Sequence, residues 1–282
     1  KNLEKKFHKM FPSGYPVICS SGRVALYIAL KELKFDRSKK INLYPYASHC
    51  VISATGRVSN PSAYNKNNKI DVVYHQWGIT YSSNHKPLVE DSVDSLYEKK
   101  TPLFANGSNF EVWSLPKIIG TSSGGILWCK KKSDAILIRS KLNHKNGVFF
   151  SWIIRLVSYK FPFFFRFWEG TEYGYKGLCR AQINEIFNKI SEWDKLVEDR
   201  KSKLSIFLKH SLLKDRVIKG RLPSCLPIKT TLNEKKIKEL GFSGGMRHFH
   251  FESKLEKIFP LPIHQDLKIS FLNRVLNLKQ FK

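Results

Sequence analysis

Acidic residues are scarce in this chain of 282 residues: 23 Asp and Glu stand against 49 Lys and Arg, so the formal net charge is +26. Such an excess is typical of proteins that bind nucleic acids or other anionic surfaces. The lysines, however, are scattered in short groups such as Lys39-Lys40, and no zinc-finger, basic-zipper or RNA-recognition motif is present. A diffuse charge fits an anionic small substrate equally well, and we expect no nucleic-acid partner.

Cysteines with metal-binding or redox spacing are also missing. The five cysteines are an odd number, and none of them form a C-x-x-C pair. This argues against a disulfide framework or a zinc site and favours a reducing compartment. His248 and His250 point to the same face of a predicted strand, but no third ligand lies nearby in sequence, so we expect no metal site. The basic, interrupted first nine residues are unlike a secretory leader, and we expect a cytoplasmic protein.

No uncharged apolar run is long enough to span a bilayer. The most apolar stretch, residues 148–168, is rich in aromatic residues but is interrupted by Arg155, Lys160, Pro162 and Arg166. Burial at a subunit interface is the ordinary explanation of such a stretch. The alternative is an interfacial helix with aromatic side chains towards lipid and basic ones towards water. A peripheral membrane contact through 148–168 therefore stays open.

The chain does contain a series of short apolar strands that end in polar residues, at 16–19, 41–46, 70–74 and 88–91. Repeated strand ends of this kind are typical of an open, mostly parallel α/β sheet, which binds ligands beyond the carboxyl ends of its strands. An amphipathic helix follows the first strand. The turn at Ser20–Gly22 before this helix offers backbone N–H groups and the helix dipole to an anion, although the same residue types also form ordinary helix caps.

A second turn places a lysine between two further apolar strands. Pro116 and Lys117 precede a Gly/Ser-rich loop that ends in Gly124-Gly125. Proline stiffens such a turn, and glycine lets the backbone fold back tightly. A lysine held there can be partly desolvated, which lowers its pKa and makes it a nucleophile towards aldehydes. Taken alone, the stretch is more typical of an ordinary loop lysine.

The pattern changes towards the C-terminus. Apolar residues at helical spacing predict one long amphipathic helix over about 181–213. After Pro223, short strands and helices predict a small α+β unit, and 42% hydrophobic residues are enough for two separate cores. We expect a large domain at 1–196 and a small C-terminal domain at 197–282.

Taken in order, these pieces resemble the DegT/StrS group of sugar aminotransferases, which are fold-type-I enzymes that depend on pyridoxal 5'-phosphate (PLP). The resemblance covers most of the chain, and no single motif is specific; their order and spacing carry it. The segments concerned are Ser21–Leu26, Tyr44–Cys50, His75–Gly78, Val89–Ser92, Ser114–Lys117 with Gly124-Gly125, and Leu261–Leu267.

The resemblance implies two catalytic residues. Lys117 would carry PLP on its side-chain nitrogen and, once displaced by an incoming amine, would shuttle a proton during the reaction. Asp91 would lie beside the pyridine nitrogen of the cofactor and keep it protonated, because an opposite charge favours the charged form.

The resemblance also implies which other residues bind the cofactor. The dianionic phosphate would lie on the turn formed by Ser21, Gly22 and Arg23, with Ser114 as a further donor. Arg23 stands where the family usually has threonine and would add positive charge. His49 would stack on the cofactor ring.

The implied architecture is a large α/β domain with a mostly parallel, mixed sheet, followed by a small α+β domain, in a homodimer with its sites at the interface. The implied reaction moves an amino group from an amino acid such as glutamate to a nucleotide-linked keto-sugar, for cell-surface polysaccharide synthesis. Lys117 points to amino transfer, whereas a histidine in its place would have suggested dehydration.

The chain departs from the family pattern at several points. The segment between His49 and His75 is short, and Asp94 stands where the family often has Gln or His. The serine precedes the lysine by three residues rather than five, and Gly174–Gly177 keeps only part of a motif that reaches the neighbouring subunit. The alternative is therefore a PLP-binding protein that has lost transamination and serves as a partner or regulatory subunit.

Overall fold

The chain forms two compact units in the computed structural model, which describes residues 2–45, 47–62, 69–143, 147–168, 173–242, 244–251 and 254–277. The larger unit comprises residues 1–75, 80–94 and 99–191, and the smaller one comprises 76–79, 95–98 and 192–282. Two short segments from the first hundred residues thus belong to the smaller unit. The sequence analysis expected one domain boundary after residue 196, and this boundary leaves residues 76–79 and 95–98 in the large domain.

The strands and helices are bounded as follows. The strands are β1 (Tyr15–Cys19), β2 (Lys40–Asn42), β3 (Asn60–Ser62), β4 (Val72–Tyr74), β5 (Val89–Asp91), β6 (Leu96–Tyr97), β7 (Phe110–Ser114), β8 (Gly125–Cys129), β9 (Arg221–Leu222), β10 (Cys225–Ile228), β11 (Arg247–Phe251) and β12 (Lys254–Pro262). The helices are α1 (Asn2–Met10), α2 (Gly22–Glu32), α3 (His49–Gly56), α4 (Leu115–Ile119), α5 (Lys132–Lys141), α6 (Gly147–Lys160), α7 (Phe165–Trp168), α8 (Arg180–Ile190), α9 (Trp193–Phe207), α10 (Glu234–Glu239) and α11 (Ile269–Leu276).

The larger unit is built on a five-stranded mixed sheet of order β1-β8-β7-β5-β4. Strands β4, β5 and β7 pair in parallel, whereas β8 runs antiparallel to both β1 and β7. Four strands therefore share one direction and β8 is the reversed one, so the predicted α/β class with a mostly parallel, mixed sheet is confirmed. Every residue of β8 is buried, as expected for a strand covered on both faces.

Aromatic side chains fill the core on one side of this sheet. Phe11 packs edge-on against Trp113 and Trp128, with ring centroids 5.1 and 5.8 Å apart. Trp113 and Trp128 themselves meet at 5.2 Å. Each such pair contributes about 0.5–1.5 kcal/mol beyond the area it buries. The cluster ties helix α1 and the segment after it to the strands that flank the candidate site.

The long helix predicted over about 181–213 is instead two helices, α8 and α9, separated at Ser191-Glu192. The first belongs to the larger unit and the second to the smaller one. Trp193, the first residue of α9, is fully buried and donates its indole N–H to the carbonyl of Tyr97 at 2.8 Å. The prediction of one helix was wrong because apolar spacing cannot show that its two halves pack in different units.

The smaller unit contains a three-stranded antiparallel sheet of order β10-β12-β11 and helices α9 to α11, which agrees with the α+β content predicted for it. Across the described parts of the chain, no helix is both long and apolar enough to cross a membrane. Nor does any group of three His, Cys, Asp or Glu among them have the arrangement needed to hold a metal ion.

The start of α2 lies directly against the start of β8. A Cβ atom on Gly125 would lie 2.3 Å from the carbonyl carbon of Ser21 and 2.5 Å from the nitrogen of Gly22. The neighbouring Gly124 has a φ of +109° and donates its N–H to the Ser20 carbonyl at 3.0 Å. Only glycine has the space and the backbone freedom that this close approach requires.

We therefore expect Gly125→Ala to separate β8 from the Ser21–Gly22 turn and to lower the free energy of unfolding by about 1–3 kcal/mol. Urea unfolding followed by circular dichroism measures the change. Gly244→Ala is the matched control, because no atom of the described residues lies within 4 Å of the added methyl group. Equal unfolding midpoints for the two variants would show that the close approach does not exist.

Candidate active site

A cavity of about 340 Å³ lies at the carboxyl ends of β5 and β7, within the range of about 300–1,000 Å³ that small-molecule sites occupy. It collects side chains from α2, α3, α4, α6 and the loop after β5. Six of the seven predicted site residues line it: Ser21, Gly22, Arg23, Asp91, Ser114 and Lys117.

A larger cavity of about 630 Å³ contains none of the predicted site residues. Its lining is mainly apolar, and its two charged side chains, Glu4 and Arg139, already pair with each other at 2.9 Å. Size alone therefore does not identify the site. We place the candidate site in the smaller cavity, because there titratable groups face a helix N-terminus.

One end of the cavity is suited to an anion. Ser21 is the N-cap of α2, and its hydroxyl accepts the Val24 N–H at 3.2 Å. A Cβ atom on Gly22 would lie 3.3 Å from both Ser114 Cβ and Val93 Cγ1, so the helix start and the end of β7 form a close cradle. Free N–H groups and the helix dipole favour negative charge there, and Arg23 in the first turn adds a cation.

Asp91 is the last residue of β5, and only 3% of it is exposed. Its Oδ1 accepts the backbone N–H of Val93 at 3.2 Å. Burial raises the pKa of Asp91 to about 7, with the charge of Lys117 opposing this rise and the charge of Asp94 adding to it. A carboxyl group in this state can hold or release a proton near neutral pH.

Lys117 lies on the short helix α4 rather than in an open turn, with Pro116 in the first turn of that helix. Its side chain is 52% exposed, and its Nζ lies 3.1 Å from Oδ1 of Asp94. The negative charge of Asp94 raises the pKa of Lys117 and outweighs the opposing effect of burial. The expectation that desolvation lowers this pKa was therefore wrong, because it ignored a carboxylate whose position only the fold determines.

Tyr74 and Asp94 complete this group. The Tyr74 hydroxyl donates a hydrogen bond to Oδ2 of Asp94, so the carboxylate contacts Tyr74 on one side and Lys117 on the other. The sequence identified Asp94 only as a departure from the family pattern. Its spacing from Asp91 was the available signal, but nothing in sequence linked it to Lys117 or to Tyr74.

A buried pair lies directly behind Asp91. His75 Nε2 contacts Glu90 Oε2 at 2.9 Å, and Ser108 Oγ donates to Glu90 at 2.8 Å. The Tyr81 N–H donates to His75 Nδ1 at 3.1 Å, so Nε2 carries the imidazole proton. Burial alone would raise the pKa of Glu90, but these hydrogen bonds, led by that of His75, hold it well below its usual value.

His49 does not line the cavity. It is the exposed first residue of α3, and the same region contributes Ser48, Cys50 and Val51 instead. Tyr46, which belongs to the same motif, lies outside the described residues. The stacking role expected for His49 stays a prediction without support from this geometry.

Arg155 on α6 is a lining residue that sequence analysis did not identify as part of the site. In the sequence, Arg155 was notable only as a charged residue within an aromatic stretch, and this does not predict a place in the site. An arginine there adds a second guanidinium group to the cavity besides Arg23, and such a group pairs readily with phosphate or carboxylate oxygens.

A family model described as a PLP-dependent aminotransferase matches residues 3–272 of this chain. No curated protein matches the chain in sequence. Because the family model covers nearly the whole chain, the chain belongs to this family of PLP-dependent aminotransferases, and PLP is its cofactor.

Several solved structures share the fold at low sequence identity. A DegT DnrJ EryC1 StrS aminotransferase from Brucella abortus is 13% identical, with a TM-score of 0.65 over 98% of this chain and 87% of its own. The aminotransferase TlmJ from Streptoalloteichus hindustanus is 14% identical, with a TM-score of 0.64 over 99% and 89%. The sugar aminotransferase CalS13 from Micromonospora echinospora is 13% identical, with a TM-score of 0.62 over 98% and 89%.

The residues of the cavity fit PLP. Gly125 lets β8 approach the Ser21–Gly22 turn, and Gly22 lets that turn approach Ser114 and Val93. These contacts hold the N-terminus of α2, where a phosphate would bind, at the cavity. A primary amine and a buried carboxyl group, Lys117 and Asp91, line the same cavity. Bound PLP supplies an electron-withdrawing ring that stabilises negative charge on a substrate carbon.

Asp91 should make the stability of the empty protein depend on pH. The folded protein keeps the Asp91 proton up to about pH 7, whereas the unfolded chain loses it near pH 4. The free energy of unfolding should therefore fall as pH rises through this window, by roughly 2–4 kcal/mol for this residue.

Asp91→Asn should remove this fall. Urea unfolding of both proteins at several pH values between about 4 and 8 measures the difference. Asp215→Asn, at an exposed position in the smaller unit, is the control and should keep the dependence of the wild type. A parallel pH dependence in all three proteins would refute the raised pKa of Asp91.

Proposed function

We propose that this PLP-dependent aminotransferase transfers the amino group of an amino acid such as glutamate to a nucleotide-linked keto-sugar, for cell-surface polysaccharide synthesis. The observation that carries the proposal is the meeting of Lys117, Asp91 and the N-terminus of α2 in one cavity. The fold shared with sugar aminotransferases supports the choice of a sugar as acceptor.

The proposed roles follow from what each group can do in place. Lys117 supplies the primary amine that holds the cofactor and moves a proton at its Nζ. Asp91, which lines the same cavity, would lie beside the ring nitrogen and hold a proton there. The backbone N–H groups of Ser21–Arg23 and the hydroxyl of Ser114, all of which line the cavity, would bind the phosphate at the N-terminus of α2.

The cationic side chains of the cavity support an anionic acceptor. Arg23 and Arg155 both line it, and the chain as a whole carries a net charge of +26. A nucleotide diphosphate carries charges that guanidinium groups bind well. A cytoplasmic location is part of the proposal and agrees with the five cysteines, none of which forms a disulfide bond within the described part of the chain.

We also propose a homodimer that covers the aromatic surface formed by α6, α7 and the residues between them. Phe150, Phe163 and Phe167 are 66%, 67% and 54% exposed in the single chain. Exposed aromatic side chains concentrated in this way mark an interaction surface. Arg155 lies on the same α6, so a second copy docked there would reach an element that lines the cavity. Contact with a membrane surface is the alternative.

Absorption spectra test the cofactor and the reaction. Wild type incubated with PLP should gain a visible absorption band. Borohydride should abolish this band and leave the cofactor covalently attached. Lys117→Ala should show neither the band nor the attachment. Lys117→Arg is the matched control that keeps the positive charge but has no primary amine, and it should also lack the band. The phosphate cradle is intact in both variants, so each should still bind PLP reversibly.

The same sample then tests amino transfer. Glutamate or another amino donor should bleach the band, and a nucleotide-linked keto-sugar should restore it. The sugar acceptor would be contradicted if an amino donor bleached the band and keto acids restored it, whereas nucleotide-linked keto-sugars did not. A stable band that no amino donor bleaches would instead favour the non-transaminating PLP-binding protein.

Sedimentation velocity tests the dimer. Wild type should sediment at about twice the chain mass of 32.7 kDa, and Phe163→Ser with Phe167→Ser should shift it to a single chain, because polar side chains weaken an apolar interface. Val217→Ser, at a position 82% exposed on the smaller unit, should stay dimeric. A single-chain wild type that binds anionic vesicles in low salt would favour the membrane contact.

A further inference from the structure

Asp94 is an acidic side chain in contact with the proposed reactive amine, and the roles proposed above do not use it. Its side chain is only 10% exposed, and its Oδ1 lies 3.1 Å from Lys117 Nζ. Its other oxygen accepts the Tyr74 hydroxyl. Asp94 therefore has a fixed partner on each side, one of them the lysine.

The sheet determines where these partners stand. Tyr74 and Asp91 are the terminal residues of β4 and β5, and they are directly paired in the parallel register. Asp94 follows Asp91 after a short turn in which Val93 donates its N–H to Asp91. The Asp94 carboxylate is thus held by the ends of two core strands, unlike a mobile surface side chain.

Stability alone does not account for this contact. An ion pair with one exposed partner contributes about 0–1 kcal/mol, and the Lys117 side chain is 52% exposed. The larger consequence is electrostatic. A carboxylate at this distance favours the ammonium form of the lysine over the neutral amine, and only the neutral amine attacks an aldehyde.

Other charged and titratable groups also face the amine. Asp91 and Cys50 favour its ammonium form, but the charge of Asp94 has the largest effect of the three. Arg23 and Arg155 line the same cavity and would favour the neutral amine. Asp94 is also in direct contact with the amine, with Oδ1 at 3.1 Å from Nζ, so it is the group whose replacement should change the amine most.

We propose that Asp94 is a positioning residue that anchors the Lys117 ammonium at the cofactor cavity and sets the pH at which this amine becomes a nucleophile. This inference rests on the proposed role of Lys117. In the cofactor-free protein, Lys117 is held as an ammonium ion beside Asp94, and in this form it does not react. Loading with the cofactor then requires loss of one proton from Nζ, and Asp94 raises the pH at which this occurs.

The test measures the lysine itself in the empty protein. Acetic anhydride is uncharged and acylates only neutral amines, so its reaction with Lys117 across a pH series, quantified by mass spectrometry, reports the protonation of Nζ. In Asp94→Asn the midpoint should move about one pH unit lower, which means roughly tenfold more labelling at a pH below both midpoints. Asp94→Ser should behave in the same way.

Two controls separate charge from structure. Asp94→Glu keeps the carboxylate and should restore most of the wild-type midpoint, whereas Asp215→Asn, remote in sequence and exposed, should not change it. Thermal unfolding by circular dichroism shows whether each variant is folded. An unchanged midpoint in a folded Asp94→Asn or Asp94→Ser variant overturns the proposal.

A measurement on the wild type keeps the proposal testable if neither neutral variant folds. The labelling midpoint of Lys117 should lie above that of Lys235, an exposed lysine on α10, and a midpoint at or below it overturns the proposal. The rate at which the visible band forms with PLP gives a second readout, which should rise severalfold near neutral pH in Asp94→Asn. Because labelling needs no cofactor or substrate, failure of the sugar reaction leaves this result interpretable.

Discussion

Two adjacent carboxyl groups are buried at the carboxyl end of β5, and the arrangement of the site depends on how each is accommodated. Successive side chains of a strand point to opposite faces, so Glu90 and Asp91 enter different surroundings. Glu90 accepts hydrogen bonds from His75, Asn106 and Ser108. Asp91 faces the cavity with a backbone N–H from Val93 and keeps its proton up to about pH 7. One carboxyl group thus stabilises the strand end, and its neighbour stays available for chemistry.

The other walls of the cavity depend on two glycines that let neighbouring segments pack closely. Gly125 allows β8 to approach the Ser21–Gly22 turn, and Gly22 allows that turn to approach Ser114 and Val93. These contacts place the N-terminus of α2 opposite the amine of Lys117 in a single cavity. An anion site and a primary amine, with a buried carboxyl group between strand ends, are the parts that a PLP enzyme requires. Their agreement with the family match supports the proposed residue roles.

The charge balance at Lys117 depends mainly on one neighbouring carboxyl group. Asp94 contacts both Lys117 and Tyr74. A carboxylate there changes the protonation of the amine without changing the fold. Solved structures only 13–14% identical share this fold, so the framework tolerates wide changes of sequence.

The fold class could be predicted from the sequence, and so could a group of residues that meets in one cavity. Apolar strands that end in polar residues, the small-residue turn before α2 and the order of the motifs are local features, and local features are visible in a sequence. Ser21, Gly22, Arg23, Asp91, Ser114 and Lys117 were all predicted, and all line one cavity.

The electrostatics and the remaining lining of the site depend on how the elements pack in three dimensions. The raised pKa of Lys117 comes from Asp94, which is distant in sequence and is brought near by the ends of neighbouring elements. The exposure of His49, the entry of Arg155 into the cavity and the break between α8 and α9 were likewise not visible in local patterns. The physical reason is common to all four: burial and Coulomb interactions depend on distances between residues far apart in the chain, and those distances exist only after the elements have packed.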